Sequence, residues 1–345
     1  MKVLVVNNMA PFVSGGAEAL AEHLKKNLEV AGHQAEVLRI PFQWEPATRI
    51  PSQMLMARAF ELHNVDHVIA LKFPAYLIQH PQKTVWLVHQ YRQAYDLYDV
   101  GQTNLPDGPV GEDLRRVIRN ADSECFRGAR RLFAISDVTQ QRLAHYNGFS
   151  SQVLRAPLND PEIFSGGPSE GYIFAGGRVN GSKRQHLLIE AMALASPEVR
   201  LIVGGPPDAP ADAAKLHELV ERLGLQDRVQ LDLRFLAREE YAAYINGALA
   251  VASLPFDEES FSYVAMEAAT ASKALISTTD SGGVLGLVRH GETGWVAAPA
   301  SEALADVLSA VYANVDRTLA LGAAAKSCWD SFNINWPATV EALLS

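Results

Sequence analysis

The sequence predicts an α/β protein built from two open, doubly wound parallel sheets, and three observations carry that prediction. Short buried-strand patterns alternate with amphipathic-helix patterns along most of the 345 residues. A single Pro-, Gly-, Ser- and acid-rich stretch after Pro157, "LNDPEIFSGGPSEG", interrupts the alternation and reads as a linker. The length, with 48% hydrophobic residues, is enough for two cores of ordinary domain size. The reading therefore places one domain over residues 1–160 and a second from 161 to 328.

Each element follows from its own pattern. "KVLVV" is a fully buried strand, "AEALAEHLKKNLEVAGH" an amphipathic helix stopped by Gly32, and "AEVLRI" the next strand, which together make a β-α-β start. "HVIAL" and "KTVWLVHQ" continue the sheet, "DLRRVIRNADSECFRGA" is a long helix, and "RLFAIS" with "DVTQQRLAHYNG" is a strand and a helix closed by Gly148. Beyond the linker, "YIFAGG", "VRLIVGG", "VQLDLR", "ALAVASLP", "KALIST" and "GWVAAP" read as strands. The helical patterns "RQHLLIEAMALA", "AAKLHELVERLG", "EEYAAYINGA" and "SYVAMEAATA" separate them. Runs this uniformly apolar are those of parallel sheets covered on both faces. Open sheets of this kind bind ligands beyond the carboxyl ends of their strands, so facing domains would share a central cleft.

Composition narrows the function. The net charge of −9 arises after residue 165, where 13 Lys and Arg stand against 22 Asp and Glu; the preceding part has 17 of each. That balance argues against nucleic acid as a partner. No apolar run reaches the roughly 18 to 20 residues of a membrane span and no signal-peptide core follows the start, so a cytoplasmic location is expected. Cys125 and Cys328 fit neither a disulfide framework nor a zinc site. Arginines 115, 116, 119, 127, 130 and 131 load one helix, diluted by Glu112, Asp113, Asp122 and Glu124. They read first as a solvated face and second as a weak peripheral contact with anionic lipid.

The chemistry concentrates in "SLPFDEESFSYVAMEAATASKALISTTDSGG", Ser253 to Gly283. Glu267 lies there among apolar residues, and a buried carboxylate costs several kcal/mol unless something pairs with it. "FDEESF" would be the loop after a strand, with Ser260 or Ser262 capping the next helix. The first amides of that helix, at Tyr263 and Val264, would suit a phosphate. Glu259 and Glu267 would then accept hydrogen bonds from sugar hydroxyls. Opposite charge comes from "AGGRVNGSKRQHLLIEA", where Arg178 and Lys183 flank an Asn180-Gly181 turn and can converge on one diphosphate.

These residues resemble the retaining glycosyltransferases of family 4, the group 1 glycosyltransferases. Glu259 and Glu267 have that family's Glu-x7-Glu spacing, and "SGGAEALAEHL", "AISDVTQQRLAHYNG", "GGRVNGSKRQHLLIEAM" and "HGETGWV" resemble its other segments in the same order. The resemblance implies the GT-B fold: two Rossmann-like domains facing a cleft, an acceptor-binding first domain, a donor-binding second, and a C-terminal helix, residues 329–345, crossing back to the first. It implies that Glu267 binds the nucleotide ribose and Glu259 the transferred sugar, within a donor segment that also includes Ser260, Phe261, Ser262, Tyr263 and Val264. Arg178 and Lys183 would hold the pyrophosphate, Gly15 and Gly16 would present amides to its distal phosphate, and His89 in "LVHQY" would lie near the transferred sugar. His89, Glu259, Arg178 and Lys183 are thus the implied catalytic set. The family needs no metal and no cofactor beyond the donor, here UDP- or GDP-linked. A hexose-type sugar would pass to a hydroxyl of a carbohydrate or lipid-linked acceptor, as in bacterial polysaccharide or glycolipid assembly.

The sequence departs from the family pattern at three places. Ser262 and Arg184 stand where glycine is usual, and Leu285 and Gly286 stand where Pro-Glu is frequent. Other classes fit less well. A dehydrogenase would need G-x-G-x-x-G in "VVNNMAPFVSGGAE" and an acid ending "AEVLRI", and neither is there. A sugar-nucleotide epimerase, or an idle sugar-nucleotide-binding protein of the same fold, is the alternative.

Overall fold

In the computed structural model, which describes residues 1–12 and 15–345, the chain forms two compact units. Unit 1 comprises Met1–Pro157 and Ile334–Ser345, and unit 2 is Leu158–Asn333.

Unit 1 runs β1 (Lys2–Met9), α1 (Gly16–Val30), β2 (Gln34–Pro41), α2 (Ile50–Arg58), β3 (His67–Ala70), β4 (Lys83–Leu87), α3 (Asp96–Asp99), α4 (Pro109–Gly128), β5 (Arg131–Ala134), α5 (Asp137–Asn147) and β6 (Gln152–Val153). Its strands are all parallel, in the order β2-β1-β3-β4-β5-β6. Val3 and Val5 of β1 pack with Leu20, Leu24 and Leu28 of α1, while Val6 faces the opposite core with Ile50 and Ile118. A strand buried on both faces has no polar side to show, which is why "KVLVV" reads as a continuous apolar run. Helix α1 ends before Gly32, at φ +85°, and α5 ends at Gly148, at φ +72°; both adopt the left-handed conformation that glycine takes without strain.

Unit 2 runs β7 (Ile173–Gly176), α6 (Gln185–Met192), β8 (Leu201–Gly204), α7 (Pro210–Arg222), β9 (Val229–Asp232), α8 (Arg238–Gly247), β10 (Ala250–Ala252), α9 (Tyr263–Thr270), β11 (Ala274–Thr278), β12 (Gly294–Ala297), α10 (Ser301–Ala313) and α11 (Val315–Ser331). These strands are also parallel, in the order β12-β11-β10-β7-β8-β9. The final helix, α12 (Trp336–Leu344), belongs to unit 1. It is capped by Asn335, whose side chain accepts from the Ala338 amide at 3.0 Å. Trp336, Val340 and Leu343 pack with Leu24, Trp86 and Phe133, and the Leu343 carbonyl accepts from the Thr84 hydroxyl at 3.0 Å.

The unit boundaries differ from the sequence reading, and helices α2, α3, α10 and α11 have no counterpart in it. The boundaries fall at 157 and 333 rather than 160 and 328, because Trp329 and Phe332 pack against Phe261 in unit 2. Only Ile334–Ser345 is therefore the returning segment. Helix α2 went unforeseen because its nine residues bury only Ile50, Met54 and Ala57, too short a stripe to announce a period.

Candidate active site

The chain order of unit 2 creates one topological switch point. From β7 the chain builds outward through β8 and β9, then returns to lay β10 on the other side of β7. The crevice beyond the carboxyl ends of β7 and β10 is where such sheets take ligands. The loop after β7 carries Arg178 and Lys183, and the loop after β10 carries Glu258, Glu259 and Ser260. Two segments separated by some 75 residues thus meet by topology: Lys183 Nζ bonds Glu258 Oε2, and the Phe256 amide donates to the Ser182 carbonyl at 2.8 Å.

Helix α9 begins where the capping pattern places it. Ser262 is the N-cap; its Oγ accepts from the Ala265 amide at 3.1 Å and lies 2.9 Å from Ser253 Oγ. The hydroxyl is thus turned into the protein, which accounts for serine at a position where the family pattern has glycine. The first helical amides, at Tyr263 and Val264, have no intrahelical acceptor to reach and lie at the positive end of the α9 dipole. Phe261 is 8% exposed, its ring packed against Trp329 and Phe332. Only its backbone is placed to meet a ligand. A Cβ at Gly286 would lie 2.6 Å from that ring, so glycine there makes room for Phe261. That accounts for the second departure.

Arg184 accounts for the third. It adopts φ +57°, the left-handed region that glycine occupies cheaply. Its guanidinium donates to the carbonyls of Leu254 and Pro255, to Thr278 Oγ1 at 2.7 Å, and to both oxygens of Asp280 at 2.8 and 2.9 Å. The strained backbone is offset by a clamp across the ends of β10 and β11, and Arg184 holds the Asp280 carboxyl below its ordinary range. Gly282, at φ +66°, completes the wall: a Cβ there would lie 2.4 Å from the Glu258 carbonyl, which accepts from the Gly283 amide at 2.7 Å.

The burial of Glu267 is repaid from α8. The residue is 2% exposed, and Arg238 Nη1 donates to its Oε1 at 2.5 Å. Tyr241 of the same helix also favours the charged carboxylate. Burial still outweighs these partners, and the carboxyl ionises above its ordinary range. Arg238 also donates to the Asn159 carbonyl at 3.3 Å and lies 4.7 Å from the Phe164 ring centroid. The sequence reading did not name Arg238, which stands 29 residues before Glu267 with no local spacing to mark it.

Arg178 and Lys183 both have carboxylate partners. Arg178 Nη1 lies 3.1 and 3.2 Å from the two oxygens of Asp208, which also accepts from Asn180 Nδ2 at 2.7 Å. Gln185 Nε2 props the Arg178 carbonyl at 2.9 Å, and a cavity of about 40 Å³ lies beside Gly177, Lys183, Gln185, Ser253 and Ser262. A larger open groove of about 800 Å³ lies at the opposite, amino end of β7–β9, lined by Tyr172, Arg200 and Tyr244, and holds none of these residues.

Within unit 1, the predicted residues follow β1 and β4. Gly15 is the N-cap of α1 and its amide donates to Glu18 Oε2 at 2.9 Å, so a carboxylate occupies the place assigned to a phosphate. Gly16 opens the helix, and Ser14 of the same motif lies outside the described residues. His89 Nδ1 donates to the Gln90 carbonyl at 2.6 Å. The arginines of α4 are mostly engaged. Arg115 pairs with Asp99 at 2.6 Å, Arg116 with Asp113 at 2.5 Å, and Arg119 donates to the Tyr146 carbonyl at 2.8 Å.

Two Rossmann-like parallel-sheet units, with a terminal helix that belongs to the first, define the GT-B architecture of glycosyltransferases. Residues 163–327, within unit 2, match the family model described as glycosyl transferases group 1. Solved structures agree on the fold across the whole chain. Anabaena HepE in complex with UDP and glucose aligns with a TM-score of 0.72 at 20% identity, over 99% of this chain and 98% of that one. Sucrose-phosphate synthase from Thermosynechococcus elongatus aligns with a TM-score of 0.78 at 17% identity, over 99% and 96%. A glycosyltransferase from Rickettsia africae gives 0.73 at 18% identity, over 99% and 96%. No curated protein matches the sequence. Among the described residues, no helix is long and apolar enough to cross a membrane.

Proposed function

We propose that this protein is a retaining glycosyltransferase that moves a hexose-type sugar from a UDP- or GDP-linked donor to a hydroxyl of a carbohydrate or lipid-linked acceptor. The observation that supports the reading is topological: the loops after β7 and β10, which carry Arg178, Lys183 and Glu259, and the start of α9 follow neighbouring strand ends at one switch point. The family match over unit 2 and the UDP complex of the Anabaena neighbour support it.

In this reading the acceptor oxygen replaces the nucleoside diphosphate at the anomeric carbon. Arg178, Lys183 and the first amides of α9 stabilise the charge that develops on the departing diphosphate, in place of a metal ion. Glu259 accepts from a hydroxyl of the transferred sugar. Glu267, held by Arg238 and Tyr241, accepts from the ribose, and the pairing with Arg238 keeps it ionised enough to do so.

A panel of UDP- and GDP-sugars screened by thermal shift, followed by a transfer assay on hydroxyl acceptors, tests the proposal. Lys183→Ala and Arg178→Ala should each lower turnover about ten- to a hundredfold with little change in Tm. Donor binding without transfer to any acceptor would favour the idle binding protein, and conversion of one sugar nucleotide into another would favour the epimerase.

A further inference from the structure

Besides the Arg184–Asp280 clamp, three ion pairs lie around the switch point of unit 2, and they differ in how far water reaches them. Arg238–Glu267 has a carboxylate only 3% exposed, so water hardly reaches it. Arg178–Asp208 is 40% and 36% exposed, a pair that water and salt compete for throughout. Lys183–Glu258 lies between, at 27% and 26%: shielded enough to form, open enough for the carboxylate to leave.

The backbones on either side of this pair are fixed. The Glu258 carbonyl accepts from the Gly283 amide, and the Phe256 amide is bonded to the Ser182 carbonyl, so the loop bearing the carboxylate is stitched to the loop bearing the cation. Gly282 leaves no space for the wall to move inward against Glu258. The carboxylate is thereby delivered to Lys183 by a rigid frame, and only its side-chain torsions let it turn away.

We propose that Glu258 is an internal counter-ion that competes with the diphosphate for Lys183, weakening the hold on nucleoside diphosphate and hastening its departure after transfer. The inference rests on the donor-site reading above. A diphosphate brings more than one negative charge to Lys183, and a carboxylate already bonded there must be displaced before it can bind. Once the sugar has gone, the same carboxylate, tethered within reach, recaptures the lysine as the diphosphate leaves. Glu258 in this role positions Lys183 between turnovers and touches no reacting atom. If instead Glu258 merely braced Lys183 in the rotamer needed for phosphate, its removal would weaken binding. The two roles predict opposite signs.

Calorimetric titration of UDP, GDP, uridine and guanosine into wild type, Glu258→Gln and Glu258→Ala separates them. Both variants should bind the preferred diphosphate about three- to tenfold more tightly than wild type, with nucleoside affinity unchanged and the gain shrinking as salt is raised. Slower release of the diphosphate in stopped-flow should accompany the gain. Unchanged or weaker diphosphate binding in the variants, against a wild type that binds, overturns the counter-ion role alone. A wild type that binds neither diphosphate overturns the donor-site reading and this inference with it. The alanine variant keeps the test decisive should the glutamine variant fold poorly.

Discussion

Arg238 and Glu267 should be unequal when each is removed, because the two ends of their bond sit in different surroundings. The Glu267 side chain is 3% exposed and that of Arg238 is 35% exposed. Arg238→Ala leaves a carboxylate sealed in unit 2 with Tyr241 as its remaining partner, and stranding a buried charge costs about 3–5 kcal/mol. Glu267→Gln leaves an arginine that still reaches water and the Asn159 carbonyl, so it should cost about 0–1.5 kcal/mol. At roughly 2–4 °C per kcal/mol for a unit of this size, the arginine variant should melt well below the glutamine variant. The deficit has a sign with pH. Burial holds the Glu267 carboxyl above its ordinary range, and loss of Arg238 raises it further. The folded variant therefore holds a proton where the unfolded chain has lost it, and stability falls as pH rises from the ordinary carboxylate range through the folded value. Unfolding of unit 2 in urea, followed at several pH values, should show the Arg238→Ala deficit large at pH 8 and shrinking toward pH 5. Equal losses in the two variants, or an arginine deficit independent of pH, would refute the assignment of Arg238 as the counter-charge.

Two further outcomes follow from the same kind of reasoning. Asp122 is fully buried, and burial pushes its carboxyl up to about 7 despite a hydrogen bond from the Tyr95 hydroxyl, so unit 1 should lose on the order of 4 kcal/mol between pH 4 and pH 8. Asp122→Asn should flatten that loss in urea unfolding. Arg184→Gly relieves the left-handed backbone but deletes the clamp, and should destabilise unit 2 by about 1–3 kcal/mol at pH 7. Because Asp280 is held below its ordinary range, that difference should narrow as pH falls through its folded value, which thermal melts at pH 7 and pH 3 would show.

How much could be read from the sequence depended on whether a feature was local. Strands buried on both faces announce themselves as apolar runs, and α5, with Ser136 as N-cap and Gly148 as its left-handed stop, was legible from the ends inward. The cap at Ser262 was legible for the same reason. The burial of Glu267 was legible too, but not what repays it, because Arg238 reaches it across a helix-to-helix contact that no spacing encodes. Asp208 and Glu258 were hidden similarly: each is an acid in a loop until the fold sets it beside a cation. The departures at Arg184, Ser262 and Gly286 looked like losses of family character. Each proves to be a local exchange, a clamp for flexibility, a cap for space, and an aromatic contact for a side chain.

The return of Ile334–Ser345 to unit 1 sets an order on synthesis. Unit 2 is continuous in the chain, so a growing polypeptide holds everything that unit needs once Asn333 has emerged. Unit 1 is not. Until Trp336, Val340 and Leu343 arrive, the apolar face formed by Leu24, Trp86 and Phe133 has no cover, and the Thr84 hydroxyl has no Leu343 carbonyl to meet. The half that begins first on the ribosome is therefore the half that finishes last, and through the making of some 175 intervening residues it carries an exposed sheet face of the kind chaperones bind.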